Sequence, residues 1–143
     1  AVLGCQYAPI NEIKKLIPQR EPFLFVDKII ERNEGKITTS LKLTGEEDFF
    51  KGHFPGNPIM PGVLLQEAIF QTGALLMASG NNPGLGVVTR VQNAKFKNMV
   101  RPLDELIMEV ELVETIANAS YMKGKSSVNG KVVLSIEFAV AAI

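Results

Sequence analysis

The spacing of apolar residues predicts strands in the first and last thirds of the chain. Apolar and polar side chains alternate over residues 36–43, 105–112 and 132–140, and a period of two is typical of half-buried strands. Residues 23–31 are rich in β-forming side chains, and Asn33-Glu34-Gly35 follows them. We interpret this stretch as a further strand that ends in a turn.

Two shorter signals complete the outer parts of the chain. Residues 10–17 have the pattern of a short amphipathic helix, which Pro18 would end. Asn129-Gly130 lies between the last two alternating runs. Both residues tolerate positive φ, so this pair predicts a tight hairpin.

The middle of the chain has a different pattern. Residues 63–78 are apolar nearly all round, and Glu67 is their only ionisable side chain. A helix without a polar face must be buried; Pro61-Gly62 would begin it and residues 80–84 would end it. A membrane span is disfavoured because the run is shorter than the ~20 residues that a bilayer requires and contains several polar side chains.

Together these elements predict an α+β fold in a single domain over residues 1–143. An antiparallel sheet would wrap around one long central helix. One sheet covers only part of a helix surface, so a second copy of the chain is expected to cover the rest. We therefore expect a homodimer.

Composition and charge narrow the function. The chain has 143 residues, of which 46% are hydrophobic, and 15 basic residues balance 15 acidic ones. This balance gives no overall field that would attract nucleic acid. Cys5 is the single cysteine, so no internal disulfide is possible and a cytoplasmic location is expected. Its terminal position makes a catalytic thiol improbable, and no secretory signal is evident.

His53 is the only histidine, and it lies in a loop that contains three prolines. Imidazole titrates near neutrality, so it can accept or donate a proton at physiological pH. The alternative is a structural histidine that bonds only nearby backbone, and composition alone favours that alternative. A metal site is not expected, because one histidine and one distant cysteine cannot supply the ligands of zinc.

Glu67 and the start of the long helix are the other candidates. Burial should raise the pKa of the Glu67 carboxyl, and a neutral carboxylic acid can donate a proton. The alternative is a structural carboxylate that pairs with Arg or Lys or reaches the surface, although the helix has no basic residue nearby in sequence. Gly62 and Val63 should present free N–H groups that could bind a thioester oxygen. The alternative is a simple turn glycine at position 62, and the pattern alone favours that alternative.

Other chemistries have no support in the sequence. There is no Gly-x-Ser-x-Gly elbow, no Walker motif and no Gly-x-Gly-x-x-Gly fingerprint. We therefore expect no nucleotide cofactor.

Three segments resemble the FabZ-type 3-hydroxyacyl-(acyl carrier protein) dehydratases, from about Ile17 to Phe138. The first, residues 17–27, resembles the family's opening Leu-Pro-His-Arg segment. The second runs from Gly52-His53-Phe54-Pro55 to Gln71 and resembles the catalytic signature, including the spacing from His53 to Glu67. The third, residues 94–97, resembles the family's Ala-Arg-Phe-Arg segment.

The resemblance implies a hotdog fold that pairs into dimers and often into a trimer of dimers. It implies that His53 removes the α-proton of a (3R)-hydroxyacyl thioester. Glu67 of the partner subunit would protonate the departing hydroxyl, with Gln71 helping to orient it. The Gly62 N–H would bind the thioester oxygen. The product would be a trans-2-enoyl thioester in fatty acid or lipid A biosynthesis. Glu67 stands where isomerising relatives carry Asp, which favours dehydration alone.

The chain departs from the family pattern at two places. Gln19 replaces the usual histidine before Arg20, which affects local packing or substrate entry. Leu103 stands where the family has the glycine of a Pro-Gly-Asp turn. We expect that turn to differ, because leucine adopts a glycine conformation less readily.

The expected partner is an acyl carrier protein, which is acidic. Arg90, Lys95, Lys97 and Arg101 have no acidic residue among them and could form its docking patch. The alternative is ordinary solvated strand charge. Two other functions stay open: a hotdog acyl thioesterase, and a non-catalytic acyl-carrier-binding protein.

Overall fold

The computed structural model describes residues 7–78 and 86–143. Within these ranges the chain forms short helices, one long helix and a single sheet. The helices are α1 (Ile10–Leu16), α2 (Asp48–Gly52) and α3 (Gly62–Met77). The strands are β1 (Lys28–Asn33), β2 (Lys36–Lys42), β3 (Gly86–Phe96), β4 (Glu105–Ile116), β5 (Ala119–Val128) and β6 (Lys131–Ala142). Cys5 and the helix-ending residues 80–84 lie outside the described residues.

The strands form one antiparallel sheet in the order β1-β2-β4-β5-β6-β3. Strand β3 pairs only with β6 and therefore lies at an edge of the sheet. The register shifts twice along β3, once after Val88 and once after Gln92. All eleven residues of β3 are exposed on both faces. An edge strand this long and exposed is available for pairing with another chain.

Helix α3 packs its buried side chains against the sheet, mainly on β4, β2 and β5. Ile69 is fully buried, and a Cβ atom at Gly124 of β5 would lie 2.5 Å from its Cγ2 atom. Only glycine therefore allows this approach. At the other end of α3, the Arg32 guanidinium donates hydrogen bonds to the carbonyls of Leu76 and Ala78, which satisfies acceptors that a helix C-terminus leaves free.

One stripe of α3 is not covered by the sheet. Val63 is 72% exposed and Met77 is 41% exposed, and Glu67, Phe70 and Ala74 between them are half-buried. These positions are three or four residues apart and so share one face of the helix. The expectation that one sheet covers only part of the helix is confirmed.

Most of the predicted elements are present. The short helix, the long helix and the three alternating strands are confirmed, and Asn129-Gly130 turns with φ values of 50° and 82°. The strand predicted over residues 23–31 is wrong in its first half, since β1 begins at Lys28. In residues 23–27 the backbone N–H of Phe25 donates to the side chain of Gln71. That bond takes this backbone group away from a strand ladder.

Helix α2 and strands β3 and β5 were not predicted from the sequence pattern. Strand β5 contains serine, glycine and lysine rather than a regular apolar alternation. Among the described residues, no helix is long and apolar enough to cross a bilayer.

Candidate active site

The loop between α2 and α3 fixes the His53 imidazole through backbone groups. The His53 N–H donates to Phe49 O at 3.1 Å, and the Ile59 N–H donates to His53 O at 2.8 Å. The side chain is half-buried, and its ring stacks on Phe54 with 4.3 Å between centroids. The loop therefore folds back on itself around the histidine.

One contact defines the protonation of the ring. His53 Nδ1 lies 3.1 Å from Ile59 O. A carbonyl oxygen can only accept a hydrogen bond, so Nδ1 must carry the proton. In the neutral ring the lone pair is then on Nε2. That nitrogen can accept a proton from a substrate.

Glu67 is positioned by a helix and not by a loop. It lies on the open stripe of α3, and no Lys or Arg forms an ion pair with it among the described residues. Burial raises the pKa of the Glu67 carboxyl above its ordinary value, and the hydrogen bond from Gln71 opposes this to a smaller extent. The environment thus favours the neutral acid more than water does.

Gln71 connects Glu67 to the segment before β1. Its Nε2 group donates to Glu67 Oε2 at 3.0 Å and to Phe23 O at 2.8 Å. Its Oε1 atom accepts from Phe25 N at 2.8 Å. Gln71 is fully buried; its bond with Phe25 N is buried, and those to Phe23 O and Glu67 Oε2 are part-buried. The Gln71 amide thereby fixes one oxygen of the Glu67 carboxyl relative to α3 and to the segment before β1.

The N-terminus of α3 has free donors. No side chain caps this helix end, and the hydrogen bonds of the described residues include no acceptor for Gly62 N–H or Val63 N–H. The Phe96 ring lies against Gly62: a Cβ atom there would be 2.9 Å from Phe96 Cε1. An oxyanion could approach these N–H groups because the glycine has no side chain.

His53 and Glu67 form no hydrogen bond with each other within one chain. The His53 ring bonds Ile59, and Glu67 bonds Gln71. The described residues also contain no His, Cys, Asp and Glu cluster that could bind a metal ion.

The four predicted docking residues lie in different local surroundings. Arg101 donates to Asn57 Oδ1 at 2.9 Å and therefore lies beside the His53 loop. Lys95 lines a cavity of about 660 Å³ among Lys and Glu side chains that point away from α3. Arg90 lines a second cavity of about 160 Å³, which shares Lys123 and Glu137 with the first. Lys97 is exposed just beyond the end of β3. Neither cavity is lined by His53 or Glu67.

The two departures from the family pattern have different structural outcomes. Leu103 has φ of 74°, so the turn keeps a backbone conformation that suits glycine although the side chain is leucine. The expectation of a different turn is therefore not met in the backbone. The Oε1 atom of Gln19 is buried and has no hydrogen-bond partner among the described residues.

Sequence reasoning missed three residues near the site. Phe23 and Phe25 hold the Gln71 amide through their backbone, and Phe96 covers Gly62. All three lie in the segments that carry the family resemblance, which was the available signal.

Comparison with known proteins identifies the family. Residues 17–137 match the FabA-like domain. The chain belongs to this family and is of the FabZ type. It is 42% identical to the 3-hydroxyacyl-[acyl-carrier-protein] dehydratase FabZ of Halalkalibacterium halodurans, over 92% of this chain and 96% of that protein. It is 44% identical to the FabZ of Hydrogenobaculum sp., over 93% of each chain.

A solved structure confirms the hotdog fold. The chain superimposes with a TM-score of 0.81 on the dehydratase heterocomplex ApeI:P from Xenorhabdus doucetiae. The match covers 96% of this chain and 93% of that one, at 14% identity. At this identity the likeness concerns the fold alone.

Proposed function

We propose that this chain is a hydro-lyase that converts (3R)-hydroxyacyl thioesters of acyl carrier protein into trans-2-enoyl thioesters. The observation that carries the proposal is the His53 Nδ1 contact with Ile59 O at 3.1 Å. It leaves Nε2 free as a base, in a chain 42% identical to a FabZ dehydratase. Glu67, with its raised pKa, supplies the matching acid.

In this mechanism each residue moves one proton. His53 Nε2 takes a proton from C2 of the substrate, and the electron pair forms the C2–C3 double bond as the C3–O bond breaks. Glu67 gives its proton to the departing hydroxyl, which leaves as water. The N–H groups of Gly62 and Val63 stabilise negative charge on the thioester oxygen, and Gln71 orients the acid. Returning the α-proton from His53 to Glu67, directly or through water, completes the cycle.

The site is proposed to be completed by a second copy of the chain. Two features support this: the exposed edge strand β3 and the uncovered apolar stripe of α3 that includes Glu67. Pairing two β3 strands would cover both features and bring His53 of one copy to Glu67 of the partner subunit. The stripe would then line an apolar channel for the acyl chain. A trimer of such dimers is the larger assembly proposed.

The substrate would arrive on an acyl carrier protein in the cytoplasm. Lys97 follows Phe96, whose ring lies against Gly62 at the start of α3, and suits an acidic partner there. The product would enter fatty acid or lipid A synthesis. We propose that residues 1–143 carry this activity as one domain, without a cofactor.

Mass spectrometry of a 3-hydroxyacyl thioester bound to acyl carrier protein tests the function. The wild-type chain should convert it to a species lighter by one water, and Glu67→Ala should not. Lack of water loss across short and long acyl chains, with the wild-type fold intact, would contradict the proposal. Release of free carrier thiol from a saturated acyl thioester would instead identify a thioesterase.

A further inference from the structure

The loop that carries His53 has few contacts with the rest of the chain. Residues 54–57 are all exposed. They form a turn closed on itself, in which Phe54 N donates to Asn57 O at 3.2 Å and Asn57 N donates to Phe54 O at 2.9 Å. No buried side chain of the turn fixes its position. Its place must therefore depend on the points where it is attached.

Two consecutive residues, Val100 and Arg101, provide attachments. Met60 N donates to Val100 O at 2.8 Å, and Arg101 Nη1 donates to Asn57 Oδ1 at 2.9 Å. The residue between these two points that matters most is Ile59, because its carbonyl accepts from His53 Nδ1. The two attachment points, Asn57 and Met60, therefore lie on either side of Ile59 in sequence, and the Ile59 carbonyl orients the His53 imidazole.

Arg101 is itself well fixed. Its backbone N–H donates to Asp104 Oδ2 at 2.9 Å, and Asp104 N donates back to Arg101 O at 3.2 Å. The carbonyl of Asp104 then accepts from Leu43 N at the end of β2. The second guanidinium nitrogen contacts Met99 Sδ at 3.7 Å. No carboxylate forms an ion pair with Arg101 among the described residues, so Asn57 is its principal acceptor.

We propose that Arg101 is a positioning residue, which acts through Asn57 to hold the Ile59 carbonyl and the His53 imidazole in place. The inference rests on the dehydratase function proposed above. It differs from a docking role, in which Arg101 would contact only the carrier protein. A docking residue would affect binding of carrier-bound substrates, whereas a positioning residue affects the chemical step on any substrate.

Because His53 is the only histidine, its ring can be observed without interference. In protein labelled with ¹³C-histidine, the wild-type chain should show one Cε1–H resonance. Arg101→Gln and Asn57→Ala should each shift or broaden it, and Lys131→Gln, which removes an exposed charge elsewhere, should not. An unchanged resonance in both loop variants would overturn the proposal. This measurement does not depend on activity, so it separates a failure of this inference from a failure of the proposed function.

Kinetics then separates positioning from docking. We expect Arg101→Gln to lower kcat roughly tenfold, since misplacing a reacting group by ~1 Å can cost up to ~100-fold. KM should change little, and the loss should be equal on a carrier-bound substrate and on a small thioester without carrier. Asn57→Ala should match it, the double variant should lose no more than either, and Arg101→Lys should recover part of the rate. A rise in KM confined to the carrier-bound substrate, or additive losses in the double variant, would overturn the proposal. Equal melting temperatures would establish that the variants are folded.

Discussion

His53 and Glu67 are prepared for proton transfer by opposite means. The imidazole lies in a loop with exposed neighbours, and a backbone carbonyl determines which nitrogen is free. The carboxyl lies on a helix, and burial raises its pKa. A base needs a lone pair that points outward, which one hydrogen bond can ensure. A general acid must hold a proton before it can donate one, and loss of solvent favours the protonated form of a carboxyl.

A second carboxylate of the same chain clarifies this difference. Glu109 of β4 lies 3.9 Å from Lys36 Nζ and 3.7 Å from Lys125 Nζ. Its charge is compensated by two ammonium groups on neighbouring strands, as expected for a solvated face. Glu67 has only an amide partner. Of these two carboxyls, Glu67, which has no cation partner and lies where water is partly excluded, is therefore better suited to act as an acid.

The largest effect is expected from removing the base. His53→Ala should lower kcat by about 1,000-fold, within the ~100- to 10,000-fold that a general acid or base contributes. Circular dichroism should show the wild-type fold, because the side chain is half-buried and makes one hydrogen bond. Activity within tenfold of wild type would remove the base from the mechanism.

Gln71 donates a hydrogen bond to the Glu67 carboxyl and also bonds the backbone of Phe23 and Phe25. Removing its amide should therefore lower stability as well as activity. Gln71→Leu would leave Phe25 N and Phe23 O without partners. The free energy of unfolding should fall by about 2 kcal/mol, the usual cost of unsatisfied buried groups, as measured by urea denaturation. Gln66→Leu is the matched control, since Gln66 is half-buried on the same helix. Equal losses in both variants would contradict the role of the Gln71 contacts.

The start of α3 should tolerate little added volume. Gly62→Ala would place a Cβ atom 2.9 Å from Phe96 Cε1 and crowd the N–H groups proposed for the thioester oxygen. We expect kcat to fall about tenfold, a part of what loss of one oxyanion donor costs. Phe96→Leu combined with Gly62→Ala tests the cause, because the shorter side chain should remove the clash. If the clash alone is responsible, the double variant should regain rate; no recovery would point to another cause.

The turn at Leu103 offers a stabilising change. The residue has φ of 74° and is 66% exposed, so its side chain contributes little packing. Leu103→Gly should raise the free energy of unfolding by about 1 kcal/mol, because glycine adopts this conformation without strain. Val113→Gly, at another exposed aliphatic position that has no positive φ, should instead be destabilising. A destabilised Leu103→Gly variant would show that strain is not significant there.

The smallest predicted effect is on the pH dependence of the free energy of unfolding. The pKa of Glu67 is raised in the folded chain above its ordinary value of 4.5. The folded state then binds the proton more tightly than the unfolded state. Stability therefore falls as pH rises from 4.5 through the folded pKa. Glu67→Gln should be more stable than wild type at neutral pH, because glutamine has no charge to desolvate. The gain should be only about 0.5 kcal/mol, because solvent screens a half-exposed group. The difference should vanish below pH 4.5, and a difference independent of pH would contradict the assignment.

The sequence predicts the elements whose signals are local. The apolar run of α3 and the Asn129-Gly130 turn depend on neighbouring residues, and both are present. The prediction of a strand over residues 23–27 is wrong because Gln71, 46 positions beyond Phe25, bonds the Phe25 backbone. The periodic spacing of apolar residues cannot predict a contact between residues so far apart in sequence.

The same limit applies to the candidate site. His53 and Glu67 were identified by residue type, and Gln71 through the family resemblance. The Arg101 contact with Asn57 joins residues 44 positions apart, so only the folded chain reveals it. The conformation of Leu103 was also missed, because the surrounding turn, fixed by Asp104, overrides the preference of leucine.

The central claim is that His53 of one copy and Glu67 of the partner subunit form one site. Mixing the inactive variants His53→Ala and Glu67→Ala after unfolding and refolding them together tests this most directly. Half of the resulting dimers would be mixed, and each mixed dimer would contain one intact site of two. Dehydration should therefore return to about a quarter of the wild-type rate. No recovery, with mixed dimers demonstrated by mass spectrometry, would contradict a site shared between subunits.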